Sequence, residues 1–542
     1  MTDRETRTTG QEARTTGQEA HVTDQEARTT GRQVRTTGEE WLLDAQERGN
    51  PHTRLAAWTD GNAARPLVDG RAYYDALLPA LRGTRRGDLI LFTDWRGDPD
   101  QRLDGPGTEI SQVLCEAARR GVVVKGLIWR SHLDRLRFSE QENKHLGDEI
   151  EAAGGECLRD MRVRPGGSHH QKFVVVRHPD RPERDVAFVG GIDLCHGRGD
   201  SPEHEGDPQS QRMAATYGTR PPWHDVQLEL RGPVVGQVET TFRERWEDPT
   251  PLSRNPFLRL QDRLDGEDVR ADPLPPQLPD PPPAGALRVQ LLRTYPYRRT
   301  ARYPFAPEGE RSVARGYRKA AARGRRLIYL EDQYLWSPQV AGCFADALRA
   351  TPGLHLVAVV PRHPDADGRI GGTPQLYGRE RALAILRAAG GERVHVFSPE
   401  NAQGTPIYVH AKVCIVDDAW ATIGSDNVSL RSWTHDSELT CAVADPTGDY
   451  ARSLRRRLAR EHLGIDVDED DPDAFIDAFE RCAAGLQAWH DGGRQGPRPS
   501  GRLLRYRGPR LDAWTRRWSG VLYRLIHDPD GRPPALRRTG AF

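Results

Sequence analysis

Ser168-His-His-Gln-Lys-Phe-Val-Val-Val176 and Tyr408-Val-His-Ala-Lys-Val-Cys-Ile-Val416 are the two stretches on which the reading of this chain turns. Each sets a His-x-Lys at the head of an apolar, strand-like run, and residues two apart on a strand share a face. His170 with Lys172, and His410 with Lys412, are therefore expected to project together, pointing one imidazole and one ammonium at the same spot, twice. With 18 histidines and five lysines in 542 residues, composition alone gives about 0.17 such pairs. The contexts match as well. A second apolar run ending in a small-residue turn follows each motif, Ala187-Phe-Val-Gly-Gly-Ile-Asp193 and Ala421-Thr-Ile-Gly-Ser-Asp-Asn427.

Outward from these motifs, apolar runs alternate with helix-like stretches in both directions. Residues 88–95 and 122–129 read as strands and 109–119 as a helix. In the second half, 327–330, 354–360 and 394–397 read as strands, and 339–350 and 377–389 as helices. Such alternation predicts an α/β sheet with helices packed on it. Between the halves lies ADPLPPQLPDPPPAG (residues 271–285), whose seven prolines sustain neither a helix interior nor a central strand. The expected organisation is a low-complexity tail (1–40), a first lobe (41–268), a Pro-rich linker (269–286), a second lobe (287–470) and a C-terminal extension (471–542).

The tail repeats imperfectly every seven residues as RTTGQEA, RTTGQEA, HVTDQEA, RTTGRQV and RTTGEE. Gly in most units and the lack of paired apolar positions favour disorder over a coiled coil. Near the other end, Leu511, Trp514, Trp518, Val521, Leu522 and Leu525 fall at helical spacing with Arg516, Arg517 and Arg524 interleaved. An interfacial helix has that pattern, but an apolar stripe is more often core, so packing on the domain is expected; residues 521–526 as a closing strand is the other option.

Lys+Arg and Asp+Glu balance at 78 each, so bulk charge announces no nucleic-acid partner. Only five of the 78 basic residues are lysines, at 125, 144, 172, 319 and 412, so both motifs keep an ammonium against a background of arginine. Seven scattered cysteines without a Cys-x-x-Cys pair suggest neither a disulfide framework nor a zinc site. The His169-His170 doublet lacks further ligands at metal-binding spacing, so no metal is expected there. The amino terminus has no apolar h-region and no run approaches 18 apolar residues. A cytoplasmic protein able to work peripherally at a membrane is expected.

The paired motifs resemble the phospholipase D superfamily, defined by two copies of His-x-Lys-x-x-x-x-Asp followed by Gly-Gly or Gly-Ser turns. His410, Lys412 and Asp417 match in full, as do Gly424-Ser425-x-Asn427 and Asp436-Ser437-Glu438. VGGIDLCHGRGD (189–200), PPWHDVQLEL (221–230) and Tyr329-Leu-Glu-Asp-Gln-Tyr334 look like eukaryotic-type phospholipases D. The first motif departs from the pattern, with Arg177 where the family has Asp and with Asp180 and Asp185 nearby. Asp417 is read as a structural anchor at the strand end, so its loss in the first half removes no reacting group.

The resemblance implies two α/β/α sandwich lobes related by a pseudo-twofold repeat and sharing one active site. It further implies a phosphodiesterase that hydrolyses or transfers the phosphatidyl group of a glycerophospholipid through a phosphohistidine, with His170 as nucleophile and His410 as acid/base; near symmetry leaves the reverse order open. Lys172 and Lys412 would neutralise phosphate oxygens, and Asn427, Ser425, Gly191 and Gln333 would contact substrate. Asp225 is assigned to orient His170, and Glu438 to orient His410. No metal or other cofactor is required, because lysines and hydrogen-bond donors balance the charge. The expected partner is a phospholipid at a membrane surface rather than nucleic acid, and a monomer follows from both motifs lying in one chain. The alternatives are a cardiolipin synthase-type phosphatidyltransferase, a superfamily nuclease and a noncatalytic lipid-binding relative.

Overall fold

The computed structural model describes residues 38–131, 140–253, 255–264, 269–367, 371–445, 447–467, 471–509 and 511–542. The expected low-complexity tail lies, up to residue 37, outside them. The first half contributes β1 (Thr59–Val68), β2 (Leu89–Asp94), β3 (Val123–Trp129), β4 (Glu156–Asp160), β5 (Phe173–Arg177), β6 (Val186–Gly190), β7 (Trp223–His224) and β8 (Val226–Arg231). The second contributes β9 (Leu287–Tyr295), β10 (Glu310–Arg311), β11 (Leu327–Asp332), β12 (His355–Val359), β13 (Val394–Pro399), β14 (Tyr408–Val409), β15 (Lys412–Val416), β16 (Trp420–Gly424), β17 (Glu438–Ala444) and β18 (Leu503–Arg505).

One strand order occurs twice: β1-β8-β6-β5-β2-β3-β4 in the first half and β9-β17-β16-β15-β11-β12-β13 in the second, where β18 extends the edge. β1 and β9 pair antiparallel at Thr59 with Val289 and Asn62 with Leu287, merging the halves into one sheet. The expected α/β repeat is therefore present, and the strands that follow Lys172 (β5) and begin at Lys412 (β15) sit mid-sheet.

Alternation along the strands divides the core. Ile90, Phe92, Val174 and Val176 face helices Gly70–Arg82, Ile110–Arg119 and Glu140–Ala152, while Leu91, Phe173 and Val175 face the opposite way, toward Val234–Trp246. The second half repeats the scheme: Cys414 and Val416 face helices Ser312–Arg323, Pro338–Ala350 and Gly372–Gly390, and Val413 and Ile415 face Asp449–Leu463. A sheet covered on both faces accounts for the continuous apolar runs in the sequence. Each fully buried Val or Leu contributes roughly 1.5–3 kcal/mol relative to exposure.

Asp417 closes β15 in the left-handed region (φ 50°), and its carboxylate accepts from Arg325 N (2.6 Å), Arg326 N (2.9 Å) and Leu327 N (2.8 Å). Arg177 ends β5 differently. Fully buried, it donates to Asp185 Oδ2 (2.8 Å), to Glu239 on helix Val234–Trp246 and to Pro279 O (2.5 Å). The Pro-rich segment, which forms no helix or strand, is thereby fastened to that helix, and Gln277 Nε2 adds a bond to Thr240 Oγ1 (2.7 Å).

The C-terminal stripe corrects the expectation of core packing. It forms helix Ala513–Leu522 and a π-turn Tyr523–His527, not a strand. The buried face is made by Ser519, Gly520 and Tyr523. Tyr523 packs so closely on helix Gly372–Gly390 that a Cβ on Gly378 would stand 2.3 Å from its ring, and its hydroxyl donates to Trp336 O (2.8 Å). Trp514 (74% exposed), Leu525 (71%), Ile526 (52%) and Val521 (50%) face outward. Small residues allowed the close approach, so these four were left outside, while Leu511, Trp518 and Leu522 are half-buried.

Removing the Arg177 guanidinium leaves two buried carboxylates, Asp185 and Glu239, without their shared cation. Arg177→Ala is expected to cost about 3–5 kcal/mol, read as a lower midpoint in thermal or denaturant unfolding. Arg177→Asp, although it restores the family residue, is expected to destabilise further by placing a third carboxylate there.

Candidate active site

Each His-x-Lys segment leaves its own lobe's sheet and docks on the other half. Residues 168–171 lie along 436–438: Ser168 N donates to Asp436 Oδ1 (2.8 Å), His170 N to Ser437 O (2.9 Å), Ser437 N to Ser168 O (3.1 Å), and Gln171 Nε2 to Glu438 O (3.1 Å). Residues 408–411 lie along 222–224: β14 pairs parallel with β7, Tyr408 N donates to Pro222 O (2.8 Å), and His410 N to His224 O (2.7 Å). These registers decide which carboxylate reaches which ring. His170 Nδ1 donates to Glu438 Oε2 (2.8 Å), and His410 Nδ1 to Asp225 Oδ2 (2.6 Å).

The pairing is the reverse of the one assigned from sequence, which gave Asp225 to His170 and Glu438 to His410. The correction has a direct cause: each imidazole projects past the end of its own sheet, where the nearest carboxylate belongs to the partner half. Both Nε2 atoms are left for chemistry, because a bonded Nδ1–H fixes tautomer and ring direction.

Lys172 Nζ donates to His170 O (3.1 Å) and lies 3.5 Å from Asp193 Oδ1, which also accepts from Trp95 N (3.1 Å). Lys412 Nζ donates to His410 O and to Gln333 Oε1 (3.3 Å), while Gln333 Nε2 donates to the Tyr408 hydroxyl (2.7 Å). Three residues assigned to substrate contact are thus occupied otherwise. Gln333 positions Lys412. Ser425 Oγ donates to Glu438 Oε2 (2.6 Å) and accepts from Leu439 N (3.1 Å). Gly191 lets Asp225 approach: a Cβ there would stand 2.2 Å from Asp225 Oδ1. Asn427 is buried with its Oδ1 unpartnered, a polar group available to a ligand.

Sequence reasoning missed the aromatic wall. Trp223 packs on His410 (ring centroids 4.8 Å), and the Arg198 guanidinium lies 3.9 Å over its other side. Its signal was the Trp beside His224-Asp225; what that Trp touches depends on a contact between halves.

Burial lowers both imidazoles well below the usual histidine range. Lys172 and Lys412 press His170 down further, and Lys412 does the same to His410. The bonds His170–Glu438 and His410–Asp225, each between halves, place both motifs at one site. Burial and the neighbouring Lys172 also bring Lys412 to about 8. The two carboxylates diverge. Burial raises Asp225, but His410 and Lys412 outweigh it and hold it at about 2. Burial and then Asp436 raise Glu438 to about 8. Its Oε1 is unpartnered and is the natural seat for the proton, leaving Oε2 to accept from His170 and Ser425. One imidazole therefore faces an ionised carboxylate and the other a neutral one.

A carboxyl raised from 4.5 to about 8 on folding contributes stability that is present below pH 4.5 and lost as pH rises toward 8. Glu438→Gln removes that dependence. The variant is expected to melt above the parent protein at pH 8, with the difference gone below about pH 4.5, as melting curves across pH would record.

The family model for phospholipase D matches residues 100–341, and the model described as cardiolipin synthase, PLD-like domain matches residues 372–461. Phospholipase D alpha 1 of Arabidopsis thaliana is 26% identical over 540 residues, covering 74% of this chain and 65% of its own length. Phospholipase D1 of Saccharomyces cerevisiae is 25% identical over 519 residues, covering 77% of this chain and 30% of its own. The chain thus spans less than two thirds of the plant relative and under a third of the yeast one. Among solved structures, phosphatidylserine synthase of Haemophilus influenzae Rd KW20 shares the fold with a TM-score of 0.52 at 12% identity, over 78% of this chain and 93% of that one. Two family matches, over 100–341 and 372–461, each holding one His-x-Lys of the site, mean that this chain belongs to the phospholipase D superfamily.

Proposed function

We propose that the chain is a phospholipase D acting on glycerophospholipids through a phosphohistidine. The observation that carries the reading is the asymmetric pair of oriented imidazoles, backed by two buried ammoniums, in a chain whose relatives bear the name phospholipase D. His170, beside a neutral Glu438, stays uncharged and keeps a lone pair on Nε2. It attacks phosphorus while the bond to the head-group oxygen breaks. His410 gives its Nε2 proton to that oxygen, and Asp225 stabilises the imidazolium beforehand. A bound phosphodiester anion offsets the ammonium that otherwise keeps His410 neutral. Water then attacks phosphorus, His410 takes its proton, and the bond to His170 breaks. Lys172 and Lys412 balance the charge on the non-bridging oxygens.

Transfer to an alcohol in place of water is the second reading, favoured by the cardiolipin synthase description of the match over residues 372–461. It differs only in the second acceptor. Incubation with phosphatidylcholine vesicles plus ethanol separates the two, because free choline reports cleavage and phosphatidylethanol reports transfer. Both are expected to fall by about 10³-fold or more in His170→Ala and in His410→Ala. Retention of most activity by either variant overturns the mechanism, and absence of choline release by the parent protein overturns the substrate.

A lipid surface is supported by the outward apolar edge. Ile526 O accepts from Arg431 Nη1 (2.7 Å), and Arg431 Nη2 donates to Gly166 O (2.7 Å), two residues before Ser168. Trp336, which holds Tyr523, stacks on Tyr334 (3.6 Å) next to Gln333. Trp514, Val521, Leu525 and Ile526, with Arg517 and Arg524 on the same segment, therefore border the segments that carry His170 and brace Lys412. No helix among the described residues is long and apolar enough to cross a membrane; apolar side chains flanked by arginine suit the plane of an interface. The double substitution Trp514→Ser, Leu525→Ser is expected to weaken binding to anionic vesicles about tenfold or more, measured by co-sedimentation, with turnover on a soluble short-chain substrate unchanged.

A further inference from the structure

Beside Asp225, whose carbonyl accepts from Asp69 N, lies a second cluster of imidazoles and carboxylates. Asp69, His204 and His224 come from the first half and Glu461, on helix Asp449–Leu463, from the second. One ligand-type atom from each lies within 4.8 Å of the others. His224 Nδ1 is 2.8 Å from Glu461 Oε1 and 3.3 Å from Asp69 Oδ1, and His204 Nε2 is 3.1 Å from Glu461 Oε1. Tetrahedral ligands at 2.0–2.1 Å from a zinc ion stand about 3.3 Å apart, and the three contacts above run from 2.8 to 3.3 Å.

Two further observations point to a ligand among these ion pairs. Neither Asp69 oxygen nor His224 Nδ1 makes a well-directed hydrogen bond, although both side chains are fully buried and His224 Nδ1 lies within ion-pair distance of Glu461 Oε1 and Asp69 Oδ1. A buried carboxylate held only by poorly directed contacts gains from a cation that its oxygens can ligate directly. The outer nitrogens are already committed. His224 Nε2–H donates to Glu331 Oε2 (2.6 Å), itself held by His462 Nε2 (2.7 Å), and His204 Nδ1–H donates to Trp223 O (3.0 Å). These bonds fix the tautomers that aim His224 Nδ1 and His204 Nε2 inward, as the outer partners of metal-bound histidines do.

We propose that Asp69, His204, His224 and Glu461 bind one divalent transition-metal ion of the zinc type. Two neutral imidazoles and two carboxylates leave such a site uncharged overall, and borderline nitrogen with oxygen donors suits zinc over magnesium or calcium. Binding displaces the protons that His204 Nε2 and His224 Nδ1 otherwise share with Glu461. The ion has no place in the reaction and is a clamp between halves. His224 O accepts from His410 N (2.7 Å), and Asp69 N donates to Asp225 O (2.8 Å), so the metal braces the Asp225–His410 pair. The inference does not depend on the lipid substrate.

The test uses the full chain, stripped with a chelator and titrated with Zn2+ against a chromophoric competitor and with Co2+ by visible absorption. One equivalent per chain is expected, with the intense visible bands of four-coordinate Co2+ and a raised melting temperature. Asp69→Asn and Glu461→Gln are each expected to weaken Zn2+ binding by about tenfold or more. An anomalous-difference map at the zinc edge should place the ion among the four side chains. Failure of the parent protein to bind stoichiometrically overturns the proposal, as does an ion located elsewhere, for example between His170 and His410. Unchanged affinity in both variants overturns it too. Should the variants not fold, the parent titration and the anomalous map decide.

Discussion

Two hydrogen bonds that cross between the halves, His410 to Asp225 and His170 to Glu438, are the constraint on which the rest of the site depends. Each half brings an imidazole without its orienting carboxylate and a carboxylate without its imidazole. Neither lobe holds a competent pair alone, so docking the halves and assembling the site are one event. The join of β1 to β9 and the short β7–β14 pairing set the relative position of the lobes. The tight backbone at Gly191 then admits Asp225 close to its ring.

The same crossing makes the site electrically uneven although the sheet repeats. Asp225 accepts from His410 and from its neighbour Val226 N (2.9 Å), close to Lys412, and stays ionised. Glu438 is as deeply buried, stands near Asp436, and is driven toward its neutral form. Similar strands thus present two imidazoles with different partners, which is what a reaction needing one neutral and one protonated ring requires. The near symmetry of the motifs could not assign the roles, because the difference lies in the surroundings.

Much of the fold was legible. Apolar alternation marked β2, β3, β11, β12 and β13 within a residue or two, and the paired motifs marked the repeat. The departure at Arg177 was visible as a departure, but its meaning was not. The side chain reaches Glu239 and Pro279, 62 and 102 residues away, and no local pattern announces such partners. Ser425, Gln333 and Gly191 were read from sequence as substrate contacts, and the structure gives each a partner within the protein. Their types suit phosphate contact, and only the packing shows that they hold Glu438, Lys412 and Asp225. The C-terminal stripe misled for a related reason. Periodicity identifies an apolar face, but Gly378 admits Tyr523 and Gly520 admits Tyr377, and the helix docks through these contacts instead.

The sequence by itself determined the strand pattern, the repeat, the family and the two His-x-Lys pairs, because those rest on local spacing: residues two apart on a strand share a face wherever the strand is put. The tertiary structure decided which carboxylate orients which histidine, which carboxyl stays charged, and which buried acids meet His204 and His224. Those outcomes depend on contacts made across a chain of 542 residues and on the desolvation that comes with them, and neither exists until the halves have closed on each other.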